Sequence, residues 1–140
     1  MNSRFTLLAT MIIALSACAP VPHTPAGVAA EHNARIALDW AGRYQGVLPC
    51  ADCEGISVIV TLADNGTYVT RQQYLGKRGS ISEEKGRFSW NPAGNTVTLG
   101  HSDPTHYFVA ENRLIRLAPD GSRITGALAD LYVLTKTPGQ

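Results

Sequence analysis

Short apolar runs separated by turn residues fill the chain from residue 40 to residue 136. The clearest run, GISVIVTLA at residues 55–63, alternates with a period of two and ends at Asp64-Asn65-Gly66, where Asn and Gly tolerate the positive φ of a tight turn. Its predicted inward-facing side chains are Ile56, Val58, Val60 and Leu62. Seven or eight such runs without a long amphipathic helix are typical of a β-sandwich or a closed barrel. We predict an all-β fold, a small antiparallel up-and-down barrel, because closure removes exposed sheet edges.

The N-terminal segment has the features of a lipoprotein signal peptide. A single basic residue precedes an uncharged run at residues 5–15, which suits a secretory signal and is shorter than the roughly 20 residues of a bilayer span. The sequence Leu15-Ser16-Ala17-Cys18 resembles the lipobox, in which the cysteine is acylated and becomes the mature N-terminus. We predict residues 1–17 as the signal peptide and Cys18 as the lipid anchor. The alternative is an ordinary cleaved signal in which Cys18 is incidental. Alanine at position 19, in place of aspartate, favours sorting to the outer membrane.

Composition divides the rest of the chain into a tether and one domain. Residues 19–30, APVPHTPAGVAA, contain three prolines, no charge and too little apolar surface to offset the entropy of ordering. EHNARIAL at residues 31–38 is too short for a stable isolated helix, so we expect one or two turns there. The predicted units are a lipidated, flexible segment at 18–37 and a barrel domain at 38–140. Without residues 1–17, basic and acidic residues are equal in number, so no nucleic-acid partner is expected.

Two cysteines lie three positions apart in the stretch GVLPCADCEGI. A thiol oxidoreductase needs a helix N-terminus that depresses the pKa of the first thiol, whereas here Cys53 leads into a β pattern. Asp52 and Glu54 disfavour a thiolate further. Two interpretations remain open: a small-ring disulfide between Cys50 and Cys53 that fixes local shape, and a soft chelate that suits Cu(I) better than zinc. An oxidising compartment favours the disulfide.

Other candidate sites are weaker. His101, Asp103 and His106 match no metal-ligand spacing, and a solvated loop is the simpler interpretation. Lys77 and Arg78 suit acidic lipid headgroups or plain solvation. Eight aromatic residues suit either an apolar ligand pocket or a filled barrel interior, which is the commoner outcome in a small barrel. They are Trp40, Tyr44, Tyr68, Phe88, Trp90, Tyr107, Phe108 and Tyr132. No nucleophile with a base and an orienting group is evident, so we assign no catalytic residue.

Several segments together resemble the N-terminal domain of the NlpE family of outer-membrane lipoproteins. They are LDWAGRYQGVLPCADCEGI, DNGTY, GRFSW, YFVAENRLIRL and LYVLTK, and they extend from Leu38 to Lys136. The resemblance implies a small barrel similar to a bacterial lipocalin, and a role in copper tolerance, surface sensing and envelope-stress signalling through a sensor kinase. It carries over Cys18 as the anchor and Cys50 and Cys53 as the CxxC pair. Fuller members have a second, C-terminal domain with its own cysteine pair, so signalling that needs that domain is not expected of this sequence.

Three functions follow as hypotheses. The first is a non-enzymatic, lipid-anchored sensor in copper and envelope stress, with Cu(I) as the one metal candidate. Its partners would be the outer membrane, the lipoprotein sorting machinery and a sensor kinase, with the domain facing the periplasm. The second is a lipocalin-like carrier, which requires a continuous cavity inside the barrel. The third is a thiol oxidoreductase, which requires a helix after Cys53.

Overall fold

The computed structural model describes residues 33–79 and 81–138. The predicted signal peptide, the predicted lipidation site Cys18 and residues 18–32 of the predicted tether lie outside the described residues. Within them, one short α-helix precedes nine strands, and a 3-10 helix, Ala129–Leu131, lies between the last two strands. Their bounds are α1 Ala34–Ala37, β1 Gly42–Leu48, β2 Gly55–Leu62, β3 Thr67–Leu75, β4 Ile81–Arg87, β5 Ser89–Trp90, β6 Thr96–Leu99, β7 Thr105–Ala110, β8 Arg113–Arg116 and β9 Val133–Lys136. Over the same residues, none of the helices has the length and apolar content to cross a bilayer.

The nine strands form one antiparallel sheet that curls into a nearly closed barrel. Their order is β4-β3-β2-β1-β9-β8-β7-β6-β5, so the first and last strands pair with each other. The two edge strands, β4 and β5, are consecutive in the chain and are separated by Phe88 alone. The chain itself therefore bridges the gap between the edges, and the predicted all-β barrel is confirmed.

The barrel interior is packed with side chains from alternate strand positions. On β2, Val58, Val60 and Leu62 are buried and Ile56 packs against the same core, so the predicted inward face is confirmed. Burial of each such side chain contributes about 1.5–3 kcal/mol. The largest fully buried side chains are Tyr44, Tyr107, Leu62, Leu99, Leu114, Leu134, Val58, Val60, Val97 and Val109.

Strand β4 raises the strand number above the seven or eight expected from sequence. Its sequence, ISEEKGR, is almost entirely exposed and has no apolar face, so periodicity gave no sign of it. It is held by seven register pairs with β3 and by an Arg71–Glu83 ion pair of 2.8 Å across the two strands. Charged side chains on an edge strand are a common protection against edge-to-edge association.

A tyrosine links the edge strand to the opposite side of the gap. Tyr68, which is buried on β3, donates a hydrogen bond of 2.5 Å from its hydroxyl to Oε1 of Glu84 on β4. The same Glu84 oxygen lies close to Gly100, which follows β6. Burial, followed by the bond to Glu84, raises the pKa of Tyr68 to about 12.

Antiparallel pairing gives the barrel two distinct ends. One end holds the disulfide between Cys50 and Cys53, is called the disulfide end, and carries the β1–β2, β3–β4, β6–β7 and β8–β9 connections. The N-terminal end carries α1 and the β2–β3, β5–β6 and β7–β8 connections, and α1 is fixed there by the bond from Arg35 N–H to Gly94 O. The eight residues of β2 span roughly 25 Å between these ends.

Candidate functional site

Cys50 and Cys53 form a disulfide in the connection between β1 and β2. Their Cα atoms are 5.4 Å apart, and both residues are partly buried. The bond closes a four-residue loop whose ends are fixed by the strands, since Leu48 pairs with Ile56 immediately below it. The loop therefore has little freedom while the disulfide is intact.

The residues after Cys53 form a strand. β2 begins at Gly55, two positions beyond the second cysteine. A thioredoxin-like site needs backbone N–H groups of a helix N-terminus directed at the first sulfur. That arrangement is not present at this position, so the structure gives no support to a thiol oxidoreductase.

An ion pair fastens the disulfide loop to the β3–β4 connection. Lys77 donates from Nζ to Oδ2 of Asp52 across 2.7 Å, and this bond holds the pKa of the Asp52 carboxyl below its usual range. Glu54 N–H donates to Leu75 O across 3.4 Å. Gly76, at φ +78°, lies against the Glu54 side chain, where a Cβ would approach to 3.2 Å. Two successive connections at the disulfide end therefore form one packed unit.

The immediate surroundings of the disulfide are acidic. Sγ of Cys50 lies 3.6 Å from Oδ1 of Asp52, and Sγ of Cys53 lies 3.3 Å from the carbonyl oxygen of Gly55. A disulfide sulfur has no proton to donate, so in this state both distances are contacts and not hydrogen bonds. After reduction each thiol has an oxygen acceptor at hand. These acceptors and the Asp52 charge stabilise the thiol over the thiolate.

Metal-ligand geometry occurs at the same place. Among residues 33–79 and 81–138, Cys50, Asp52 and Cys53 form the group whose donor atoms all lie within 4.8 Å of one another. Two reduced sulfurs suit Cu(I), which is soft and accepts few ligands, whereas a carboxylate oxygen is a poor ligand for it. The donor set fits Cu(I) through the two sulfurs alone, and only when the disulfide is reduced.

The weaker metal candidate, His101 with Asp103 and His106, does not form a group with metal-ligand geometry in the described part of the chain. His106 lies on the outer face of β7 with Nδ1 2.9 Å from the hydroxyl oxygen of Thr98. His101 and Asp103 are exposed in the β6–β7 connection. Neither histidine belongs to the group with metal-ligand geometry within the described part of the chain.

The predicted aromatic residues separate into three groups. Tyr44, Tyr68 and Tyr107 are buried in the barrel interior. Trp40, Phe88 and Trp90 form an edge-to-face cluster at the N-terminal end, with ring centroids 5.4–6.2 Å apart. Phe108 lies on the outer face beneath the guanidinium of Arg123, and Tyr132 is partly buried before β9. The interior is thus occupied by side chains, and the lipocalin-like alternative gains no support.

Two features were not anticipated from sequence. The Asp52–Lys77 pair joins residues 25 positions apart, and no local pattern announces it. The link from Tyr68 to Glu84 depends on β4, whose pairing was itself missed. The available signals were the charges of Asp52, inside the CxxC loop, and of Lys77, in a turn further along the chain. Only the strand order shows that the two residues are adjacent.

Comparisons with known proteins agree on one family. The family described as NlpE N-terminal domain matches residues 44–127. Lipoprotein NlpE of Escherichia coli K12 is 34% identical over 83 residues, which cover 58% of this chain and 35% of that protein. The chain therefore spans about a third of the length of this curated relative.

Two solved structures are similar in fold as well as sequence. A crystal structure of a predicted lipoprotein from Shewanella oneidensis superposes with a TM-score of 0.70 at 46% identity, and the match covers 74% of this chain and 94% of that one. The crystal structure of the Cpx pathway activator NlpE from Escherichia coli gives a TM-score of 0.52 at 31% identity, over 61% of this chain and 46% of that one.

Proposed function

Because the chain belongs to the family of the NlpE N-terminal domain, we propose that it is an outer-membrane lipoprotein that senses copper and envelope stress without enzymatic activity. Cys18 carries the lipid, the lipoprotein sorting machinery delivers the protein, and the barrel faces the periplasm. The descriptions of the relatives as a lipoprotein and as a Cpx pathway activator support this function and an envelope-stress sensor kinase as the partner.

The position of the disulfide loop carries the proposal. Cys50 and Cys53 lie in a connection at one end of the barrel, outside the packed core, and Asp52 ties that connection to Lys77 on the next one. Opening the S–S bond frees a short loop without removing any core contact. A change in the cysteine pair therefore alters one surface of the protein while the barrel remains folded.

Reduction comes first in the proposed response. A dithiol reductant of the periplasm transfers two electrons, and with two protons the Cys50–Cys53 disulfide becomes two thiols. Asp52 lies within reach of both sulfurs, and its negative charge disfavours the thiolate forms. The reduced loop loses its covalent restraint, and the surface it forms with the β3–β4 connection changes shape.

Copper acts on the reduced state in this proposal. Cu(I) binding would require both sulfurs as thiolates, so the two thiol protons would be released to solvent. Cys50 and Cys53 would hold the ion, while Asp52 would remain paired with Lys77 because a carboxylate is a poor Cu(I) ligand. The intact disulfide has no thiolate, so copper sensing requires reduced protein.

Thiol counting by mass tests the response of the pair. Protein taken from the envelope is alkylated and weighed, with and without added copper, under conditions that preserve bound metal. We expect Cys50 and Cys53 to be oxidised in the resting protein. After reduction, we expect one copper ion to bind, and the two thiols that hold it to escape alkylation. Cys50→Ser/Cys53→Ser is the matched control and should bind none. Copper bound equally by this variant would contradict the assignment of the pair.

Replacement of Cys18 by alanine tests the anchor independently. The substituted precursor cannot be acylated at this position, so the protein should leave the outer-membrane fraction. Cys50→Ala, which leaves Cys18 intact, is the control for loss of a cysteine as such. Unchanged fractionation of the Cys18→Ala protein would show that the lipobox interpretation is wrong.

A further inference from the structure

Among the described residues, the two ends of the barrel differ in their balance of acidic and basic side chains. At the disulfide end, including the adjoining strand ends, acidic residues outnumber basic ones. The acidic residues are Asp52, Glu54, Asp103, Asp120 and Asp130, and the basic ones are Lys77, Arg78, Arg116 and Arg123. At the N-terminal end the balance is reversed. The basic residues there are Arg35, Arg43, Arg87, Arg113 and Lys136, and the acidic ones are Asp39, Asp64 and Glu111.

A groove at the basic end combines guanidinium groups with aromatic rings. Its volume is 370 Å³, and it is lined by Arg35 and Arg87 together with the aromatic cluster of Trp40, Phe88 and Trp90. Both arginines are exposed. The β2–β3 turn at residues 64–66 completes the rim and adds one carboxylate, that of Asp64. Two cations and one anion leave the groove basic.

The groove is held in shape by bonds to the backbone. Trp40 donates from Nε1 to Arg35 O across 3.1 Å, and Arg87 donates from Nη2 to Asn65 O across 3.3 Å. Phe88 N–H donates to Gly66 O across 3.1 Å. These bonds place the aromatic rings and the arginines on one surface before any ligand arrives.

An exposed apolar side chain is adjacent in sequence to Arg35, one of the residues that line the groove. Ile36 on α1 is 81% exposed, the largest exposure among the large apolar side chains of the described residues. It follows Arg35 directly. Arginines, tryptophans at a polar boundary and a protruding isoleucine are the side chains found where proteins meet a lipid surface.

The chain reaches the barrel at this same end. Asn33 and α1 are the first described residues, and 15 residue positions separate Asn33 from Cys18. Even a fully extended segment of that length spans at most about 50 Å. A lipid at Cys18 would therefore hold the barrel within about 50 Å of the bilayer and attach it through its basic end.

We infer that the N-terminal end of the barrel docks on a phospholipid bilayer that contains anionic headgroups. Arg35 and Arg87 pair with headgroup phosphates, and Trp40, Trp90 and Ile36 contact the boundary between headgroups and acyl chains. The disulfide end then faces away from the membrane, roughly 25 Å further out, where a periplasmic partner can reach it. The inference rests on the lipid anchor of the proposed function.

The sequence offers a different basic pair, which suits acidic lipid headgroups or plain solvation. Lys77 and Arg78 were the suggested basic pair, but Lys77 is bonded to Asp52 at the acidic end of the barrel. That end has one acidic residue more than basic ones among the described residues, so it attracts anionic headgroups less than the N-terminal end does. Membrane docking through Arg35 and Arg87 therefore uses the opposite surface.

The chain supplies its own probe for the test, since its two tryptophans, Trp40 and Trp90, both belong to the aromatic cluster of the groove. The mature lipidated protein is reconstituted into vesicles of phosphatidylcholine, with or without phosphatidylglycerol, that contain brominated lipids. Bromine quenches tryptophan fluorescence at short range. We expect strong quenching with phosphatidylglycerol that is relieved by high salt, and weak quenching with phosphatidylcholine alone.

Charge reversal locates the docking surface. Arg35→Glu and Arg87→Glu should each lower the docking equilibrium constant by a factor of roughly five or more, because each basic residue near an anionic surface contributes about that much. Arg78→Glu makes the same change of charge at the disulfide end and should leave the quenching unchanged. Equal losses in all three variants would overturn the assignment of the surface.

Flotation separates failure of docking from failure of the anchor. Flotation with phosphatidylcholine vesicles reports the lipid anchor, and loss of flotation would contradict the proposed function. Tryptophan quenching is measured separately, in vesicles that contain phosphatidylglycerol and at high lipid concentration. This measurement is made whether or not the protein floats with phosphatidylcholine vesicles. Absence of quenching in the phosphatidylglycerol vesicles would overturn the docking proposal, even for protein whose flotation shows that the lipid anchor is intact.

Discussion

Lys77 donates a hydrogen bond of 2.7 Å to Asp52, the residue that lies between the two cysteines of the disulfide loop. This bond connects the loop that carries Cys50 and Cys53 to the connection between β3 and β4. The cysteine pair is therefore linked to a second surface segment through one charged contact. Asp52 is within reach of both sulfurs, so its charge acts on their chemistry as well as on the loop.

The first prediction concerns the acidity of the reduced cysteines. Asp52→Asn removes the negative charge beside the sulfurs and leaves the Lys77 ammonium without its carboxylate partner, and both effects lower the thiol pKa. Lys77→Gln should have the opposite effect. The measurement is the pH dependence of alkylation of reduced protein.

A carboxylate elsewhere at the same end serves as the control. Asp120 also has a lowered pKa, which is caused by bonds from Ser122, and it does not belong to the group around the sulfurs. Asp120→Asn should leave the alkylation profile unchanged. If Asp52→Asn shifts the profile no more than Asp120→Asn does, the electrostatic coupling described above is wrong.

A second prediction concerns alkaline stability. Burial raises the pKa of Tyr44 and of Tyr68 to about 12 each, above the ordinary value of 10. The protonated hydroxyls are favoured in the folded state, so their stabilisation is complete below pH 10 and is lost as the pH rises toward 12. Unfolding in urea should require progressively less denaturant between pH 10 and pH 12.

Phenolate absorbance identifies the residues responsible. Tyr68→Phe should remove one late-titrating phenol and weaken the alkaline loss of stability. Tyr74→Phe is the control, because Tyr74 is 38% exposed. Stability that is flat from pH 10 to pH 12 in the unmodified protein would contradict the prediction.

The inward face of β2 shows what periodicity can predict. Val58, Val60 and Leu62 alternate with polar or half-buried residues, and alternation in the sequence is alternation between the two faces of a strand. Strand β4 has no such pattern, because its stability comes from pairing with β3 and from ion pairs that become visible only when the two strands are adjacent.

Much of the candidate site could be predicted, and its connections could not. The strand after Cys53 was readable from the alternation that begins at Ile56, and it removed the basis for an oxidoreductase. The partner of Asp52 lies 25 positions away, and the arginines beside Trp40 and Trp90 come from α1 and β4. Such neighbours are set by strand order, which local sequence does not encode.

A third prediction tests the barrel closure. Leu134 on β9 is 0% exposed and lies where the last strand joins the first, so Leu134→Ala should lower the free energy of unfolding by about 2–5 kcal/mol. Leu131 lies just before β9 and is 52% exposed, so Leu131→Ala should lower the free energy of unfolding by well under half of that amount. Urea denaturation measures both. Similar costs for the two variants would show that β9 does not close the core.

The most direct test of the central claim is the copper and envelope-stress response of Cys50→Ser/Cys53→Ser. A four-residue loop contributes at most about 2 kcal/mol through chain entropy, so the variant should remain folded and reach normal protein levels. Copper tolerance and induction of the stress response should both fall, because the surface loop no longer changes with its redox or metal state. A variant that is stable, abundant and as copper-tolerant as the original would contradict the sensing role of the pair. Loss of the protein by degradation would instead identify the disulfide as a structural staple.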